Sequence, residues 1–351
     1  MSASKVAISL TGATGYIGGS VLTRLLHHPS AATFDITVFV RSAEKAKLLE
    51  KKFGVKAVVG THADSDKLEA LAEQSHVVFS CADADNLPAM QAILRGLRKR
   101  HTATGDVPIL IHTSGSGTVC EMAGGMFASE TVYSDMNVDQ IKSIPPTAPH
   151  RALDLAIVDA DIQGYARTYI ILPSIIYGIA SGPLIDAGIS NPFSMGIPIA
   201  VRIAFARGQV GMIGTGKNSW PNVHIDDLTD LYIGIFDAVM KDRESIGHGW
   251  EGFYFGENGE QPWYDVYKAI AQALVELGIG KSGEPTTYTT EEVIKYMRSA
   301  GVGDYMGANS RCRADRGRSI GWKPSRTSED MLKSIKPEVE ILWKKKLQDG
   351  A

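Results

Sequence analysis

The chain has 351 residues, 44% apolar and 21% charged, enough to bury a sizeable core as one large domain or two moderate ones. Its 36 Lys and Arg nearly balance 39 Asp and Glu, a formal charge of −3, which leaves no basic footprint for nucleic acid and no polybasic membrane patch. Cys81, Cys120 and Cys312 are far apart, odd in number and without metal-ligand spacing, so reduced thiols and no metal site are expected.

Residues 1–5 run straight into a first strand with Val6, Ile8 and Leu10 buried, the pattern expected without a leader peptide and in a cytoplasmic protein. That strand meets three glycines and then a helix with Ile17, Val21 and Leu25 on one face. Gly12 permits a sharp exit from the strand, Gly15 lets the backbone approach a pyrophosphate, and Gly18 lets helix and strand pack closely. The helix N-terminus offers free N–H groups to the phosphates, so Gly12, Thr14, Gly15, Tyr16, Ile17 and Gly18 form a candidate dinucleotide cradle. A second strand, 34–40, ends in Arg41-Ser42 with Lys45 close behind and no acid before Glu44. A cation there accommodates the extra phosphate of NADP(H), whereas an acid would hold the ribose hydroxyls of NAD.

Further strands are expected at 55–59, 76–82 (ending in Cys81-Ala82) and 109–112, with helices at about 68–72 and 88–100 between them. This alternation implies an α/β, doubly wound parallel sheet whose ligands collect at the carboxyl ends of the strands. The apolar stretch 169–185 is broken by Pro173, Gly178, Gly182 and Pro183 and does not read as a membrane span. A mainly apolar helix at 191–207, an amphipathic helix at 226–240, a short strand at 252–255 and helices near 262–278, 289–300 and 327–347 complete the chain. The expected division is a Rossmann-type nucleotide domain over 1–178, rejoined by 222–245, and a substrate lid from 179–221 and 246–351.

Four segments in consistent order over roughly residues 5–260 resemble the short-chain dehydrogenase/reductase superfamily, in its extended and atypical branches (epimerase/dehydratase-like and NmrA-like). Thr11-Gly12-Ala13-Thr14-Gly15-Tyr16-Ile17-Gly18 matches the extended glycine motif. Val58 to Asp64 resembles the segment beside the adenine, with Thr61 and His62 in place of an Asp-Leu pair. Leu172-Pro173-Ser174-Ile175-Ile176-Tyr177-Gly178 is similar to the Arg-Pro-x-x-Val-Tyr-Gly segment after strand six, and Val223-His224-Ile225-Asp226-Asp227-Leu228 to the motif that returns the chain to the nucleotide domain. The resemblance implies a nicotinamide cofactor reaching Pro173, a small-molecule substrate bearing a carbonyl or hydroxyl, and reduction or redox-neutral epimerisation. Monomer and dimer both stay open.

In these families a Ser after strand five orients the substrate, and a Tyr with a Lys four residues later transfers the proton. Ser114 and Ser116 are the candidate serines. The Tyr-x-x-x-Lys pair is missing: His150 stands where Tyr is expected and Asp154 where Lys is expected, and the chain's Tyr264-x-x-x-Lys268 falls in the wrong part of the fold. Three readings follow. His150 and Asp154, spaced i,i+4, act as an acid–base pair; or Tyr133, from the loop after strand five, supplies a phenol; or the protein is an NADP(H)-sensing regulator that acts through a protein partner. Cys81 and Cys120, near strand ends facing the crevice, read either as reactive thiols or as buried small hydrophobes, and His112 as a core histidine.

Overall fold

The computed structural model describes residues 5–349. Its central sheet holds seven parallel strands: β1 (Val6–Thr11), β2 (Phe34–Val40), β3 (Lys56–Val59), β4 (Val77–Ser80), β5 (Ile109–Thr113), β6 (Arg167–Pro173) and β7 (Phe253–Gly256). The spatial order is β7-β6-β5-β4-β1-β2-β3. Strands β4 and β5 are buried throughout, because helices cover both faces of the sheet, and their sequences therefore read as apolar runs rather than alternations.

The crossovers are α1 (Tyr16–Leu26), α2 (Ala43–Phe53), α3 (Ser65–Glu73), α4 (Leu87–Thr104) and α5 (Arg151–Ile162). Chain order runs outward from β1 through β2 to β3, then resumes at β4 on the other side of β1. That reversal opens a crevice beyond the carboxyl ends of β1 and β4, the place where such sheets bind ligands.

Over the crevice sits a second layer with its own core. It contains α6 (Gly196–Arg207), α8 (Trp263–Glu276), α9 (Ala300–Met306) and α10 (Ser328–Asp349), with Phe193, Ile197, Trp220, Trp263, Ile270 and Ile335 among its buried residues. Between these, α7 (Ile225–Lys241) returns to the main layer and packs on α1. Strands Ile175–Tyr177, Ser219–His224 and Glu260–Pro262 form a small sheet joining the two layers.

The expected lid segment 246–351 is divided differently. Phe253–Gly256 pairs in parallel with Ile170–Pro173 as the seventh strand of the central sheet, since Phe253, Tyr254 and Phe255 are buried on both faces and need a neighbour on each. Residues 312–313 likewise pair with 133–134 beside the main layer. No described helix is long and apolar enough to cross a membrane, and no group of His, Cys, Asp or Glu among the described residues is placed to hold a metal.

Candidate active site

The glycine turn is built by close contact. Gly12 has φ +79°, a left-handed backbone, and a Cβ on it would come within 2.6 Å of the Cys81 carbonyl oxygen; one on Gly18 would overlap the Gly12 carbonyl. The turn closes through Gly15 N–H donating to Gly12 O at 2.8 Å. The helical ladder starts only with Gly19 N–H to Gly15 O, so the first-turn N–H groups of Tyr16, Ile17 and Gly18 precede it and are available to an anion. This bare backbone concavity at a helix N-terminus fits the pyrophosphate of a dinucleotide.

Around it, the expected cofactor residues divide into several roles. Gly15, Tyr16, Ile17, Cys81 and Pro173 line one cavity of about 640 Å³. The Tyr16 hydroxyl donates to Gly178 O at 2.5 Å, tying the turn to the strand-six segment, and the Thr14 carbonyl accepts from Asn191 N–H. Ser42 caps α2 by accepting from Lys45 N–H at 3.2 Å, and Lys45 Nζ donates to Ile189 O at 2.6 Å. Arg41 is exposed at the tip of β2. Ala82 lines a narrow adjoining crevice with Thr11, His62 and Asp83. Burial pushes the Cys81 and Cys120 thiols up to about 12, which leaves them protonated and unreactive at neutral pH.

At the other end of the cavity stand Ser116, His150, Phe193, Trp220, Trp263 and Tyr305. His150 is the N-cap of α5 and holds a left-handed backbone, φ 64°. Its ring lies against Gly115, where a Cβ would sit 3.1 Å from both Nε2 and Cδ2. Its Nδ1 is 2.9 Å from Asp85 Oδ1. Thr118 Oγ1 donates to the carbonyls of Gly115 and Pro149, fastening the turn after β5 to the residue before His150. Ser116 is 1% exposed and its hydroxyl has no partner.

Two sequence expectations are corrected here. His150 and Asp154 do not pair, because the His150 ring is engaged by Asp85. Asp154 instead turns into the core, where Oδ2 accepts from Ser114 Oγ at 3.2 Å and Oδ1 has no partner. Tyr133 does not line the cavity. It belongs to a two-residue strand paired with Cys312–Arg313, and the adjacent buried Asp135 accepts from Phe255 N–H and Arg316 N–H, which anchors that segment to β7 and the C-terminal part. His224, in the segment that returns the chain to the main layer, caps α7 by accepting from Asp226 N–H. His112 is fully buried and close to Ser80 Oγ, and burial pushes its pKa down to about 3, as befits a neutral core histidine.

Residues 12–116 match a family model described as NAD(P)H-binding. An oxidase of Acremonium sp, ucsJ, is 30% identical over 331 residues, covering 90% of this chain and 92% of its own length. In structure, UDP-glucose 4-epimerase from Thermotoga maritima superposes with a TM-score of 0.64 at 15% identity, over 97% of this chain and 100% of that one. The dTDP-glucose 4,6-dehydratase from Bacillus anthracis, solved with NAD, gives 0.63 at 17% identity over 97% and 99%. The chain belongs to one family with that oxidase, carries an NAD(P)H-binding domain and has the fold of these epimerases and dehydratases.

Sequence reasoning missed Asp85, Ser194, Trp263 and Tyr305. Asp85 sits in the acidic Ala82-Asp83-Ala84-Asp85 run after β4, a visible signal; the other three come from lid segments remote in sequence, and nothing local marks them.

Asp154 makes a stability prediction. Burial without a counter-charge on Oδ1 pushes its carboxyl up to about 7. The folded state therefore holds a proton that the unfolded chain releases, and stability falls as pH rises from about 4 to about 7. Glu338 and Asp135, pushed up by burial to about 7 and about 6, add to the same trend. Asp154→Asn is expected to flatten the curve and to exceed the wild type at pH 8 by about 1–3 kcal/mol in urea unfolding. An unchanged slope between pH 5 and pH 8 would refute this.

Proposed function

We propose that this protein is an NADP(H)-dependent oxidoreductase that interconverts a hydroxyl and a carbonyl on a small metabolite, with His150 in place of the usual tyrosine. The observation that carries the reading is the Asp85–His150–Ser116 arrangement at the carboxyl end of the sheet. With Nδ1–H donating to Asp85, Nε2 holds the lone pair at the edge of the ring beside Gly115. That nitrogen takes the proton from a substrate hydroxyl during oxidation and returns it during reduction. The unpartnered Ser116 hydroxyl donates to the same oxygen, whereas the Ser114 hydroxyl is occupied by Asp154. Bound nicotinamide supplies or accepts the hydride.

Arg41 supports NADP(H) over NAD(H): it is exposed beyond β2, while the neighbouring Ser42 and Lys45 are already engaged. The furnished cavity supports an enzyme over a sensor, which would need only the nucleotide end. The relative named as an oxidase agrees with hydroxyl oxidation as one direction.

The test is cofactor-dependent turnover, followed by nicotinamide absorbance, with NADPH and a panel of ketones and with NADP⁺ and the matching alcohols. Ser116→Ala is expected to lower kcat about 5- to 10-fold, the value of one hydrogen bond, with Ser114→Ala leaving kcat near wild type and lowering stability. Absence of turnover across the panel, in protein that binds NADPH, would favour the sensor. A larger kcat loss in Ser114→Ala than in Ser116→Ala would reverse the serine assignment.

A further inference from the structure

The cavity's chemistry restricts what can occupy it. Among the described residues its lining contains no Lys, Arg, Asp or Glu. Beyond the glycine turn the walls are Phe193, Ile199, Trp220, Trp263, Tyr305 and Met306. The mouth is apolar too: Met195, Val302 and Ile199 line it at 76%, 45% and 39% exposed. A nucleoside diphosphate brings at least two negative charges, and burying them against such walls without a cation is strongly unfavourable. The epimerase structures solved with UDP-glucose or UDP share this fold but, on this argument, not this ligand class.

Apart from His150, the polar side chains left in the wall are few and carry no ionisable cation or carboxylate. Trp220 Nε1–H is taken by Ala308 O at 2.6 Å, Ser174 Oγ by Gly256 O at 2.7 Å, and the Asn191 side-chain N–H by Phe193 O at 2.8 Å. Three buried side-chain groups on cavity-lining residues have no partner: Ser116 Oγ, Ser194 Oγ and Trp263 Nε1–H. Their residues are 1%, 8% and 7% exposed, so each is an unsatisfied donor just behind the cavity wall that a small side-chain rotation would offer to a ligand oxygen. Tyr305 closes the wall over Gly117, next to Ser116, and stands edge-on to Trp220 with ring centroids 5.4 Å apart.

We propose that the substrate is an uncharged, largely apolar ring compound with at least two oxygen functions. One oxygen sits at Ser116 and His150, and a second, remote from it, accepts from Trp263 or exchanges a hydrogen bond with Ser194. The ring fills the space between Phe193, Ile199 and Tyr305. This rests on the oxidoreductase reading for the position of the reacting oxygen, and on the lining alone for the ligand class.

The experiment is calorimetric titration of the NADPH-loaded protein with α-tetralone, with its ring-hydroxylated analogue and with UDP. Both tetralones are expected to bind with a negative heat-capacity change, the marker of apolar burial, the hydroxylated one roughly fivefold more tightly, and UDP not at all. Trp263→Phe or Ser194→Ala is expected to erase that preference while retaining α-tetralone, since each removes a polar group and keeps most of the shape. Binding of UDP as strong as that of the tetralones, or failure of both tetralones to bind NADPH-loaded protein, overturns the ligand class. A preference that survives both substitutions overturns the second polar contact. Tetralones that bind without being turned over sink the oxidoreductase reading and leave this one standing.

Discussion

His150→Gln lowers kcat by about 10²- to 10⁴-fold, the range for loss of a positioned acid–base group. Glutamine keeps polarity and approximate length but carries no titratable nitrogen, so the loss reports proton transfer rather than a vacant space. The nucleotide cradle lies in the turn after β1, so NADPH affinity is expected to stay near the wild type. Asp85→Asn leaves the imidazole in place but no longer selects the Nδ1–H tautomer. Its carboxylate is 65% exposed, so solvent screens the pair and the expected loss is smaller, about 10-fold. Steady-state kinetics with any turned-over ketone provide the measurement. If His150→Gln retains kcat within a factor of about three, the proton passes through another group, and Tyr305, whose hydroxyl stands over Gly117, is the next to replace.

Arg41→Ala weakens NADPH binding roughly 10- to 100-fold and leaves NADH binding nearly unchanged, since a charge-assisted hydrogen bond contributes about 1.5–3 kcal/mol. The contrast between the two cofactors carries the meaning. A loss shared equally would mean that Arg41 acts on the fold of the β2–α2 turn and does not read a phosphate. Raising ionic strength should weaken NADPH more than NADH in the wild type and remove that difference in the variant, because an exposed contact is screened by salt. Nicotinamide fluorescence titrations at two salt concentrations measure both effects.

The nucleotide end of the site was legible from sequence for a physical reason. Gly12, Gly15 and Gly18 act within seven consecutive residues, and the geometry they permit is local: a left-handed turn, a bare backbone and the start of a helix. The strands β4 and β5 were legible for a related reason, since burial on both faces writes itself into contiguous apolar residues. Strand β7 was recognised as a strand, but its place was not, because the sheet edge it joins is β6, more than 80 residues earlier.

At the His150 end of the cavity the information is not local. The position of His150 relative to Leu172-Pro173 marked it as the residue standing for tyrosine, yet its partner was misread: helical periodicity nominated Asp154, four residues on, and the folded chain supplies Asp85, 65 residues back. The packing of distant segments decides between them: the loop after β4 brings Asp85 to the His150 ring, and Ser114 after β5 holds Asp154. Tyr133 failed in the same way, since the strand that commits it comes from residues 312–313.

By itself, the sequence determined the Rossmann layer, the dinucleotide turn and the exposed cation after β2, because these depend on short-range sterics and on burial patterns carried by neighbouring residues. Only the tertiary structure decided which serine hydroxyl stays unpartnered, which carboxylate meets His150, and that Trp263 and Tyr305 close the cavity. Those outcomes depend on which side chains exhaust one another's hydrogen bonds when distant segments pack, and no spacing along the chain encodes that competition.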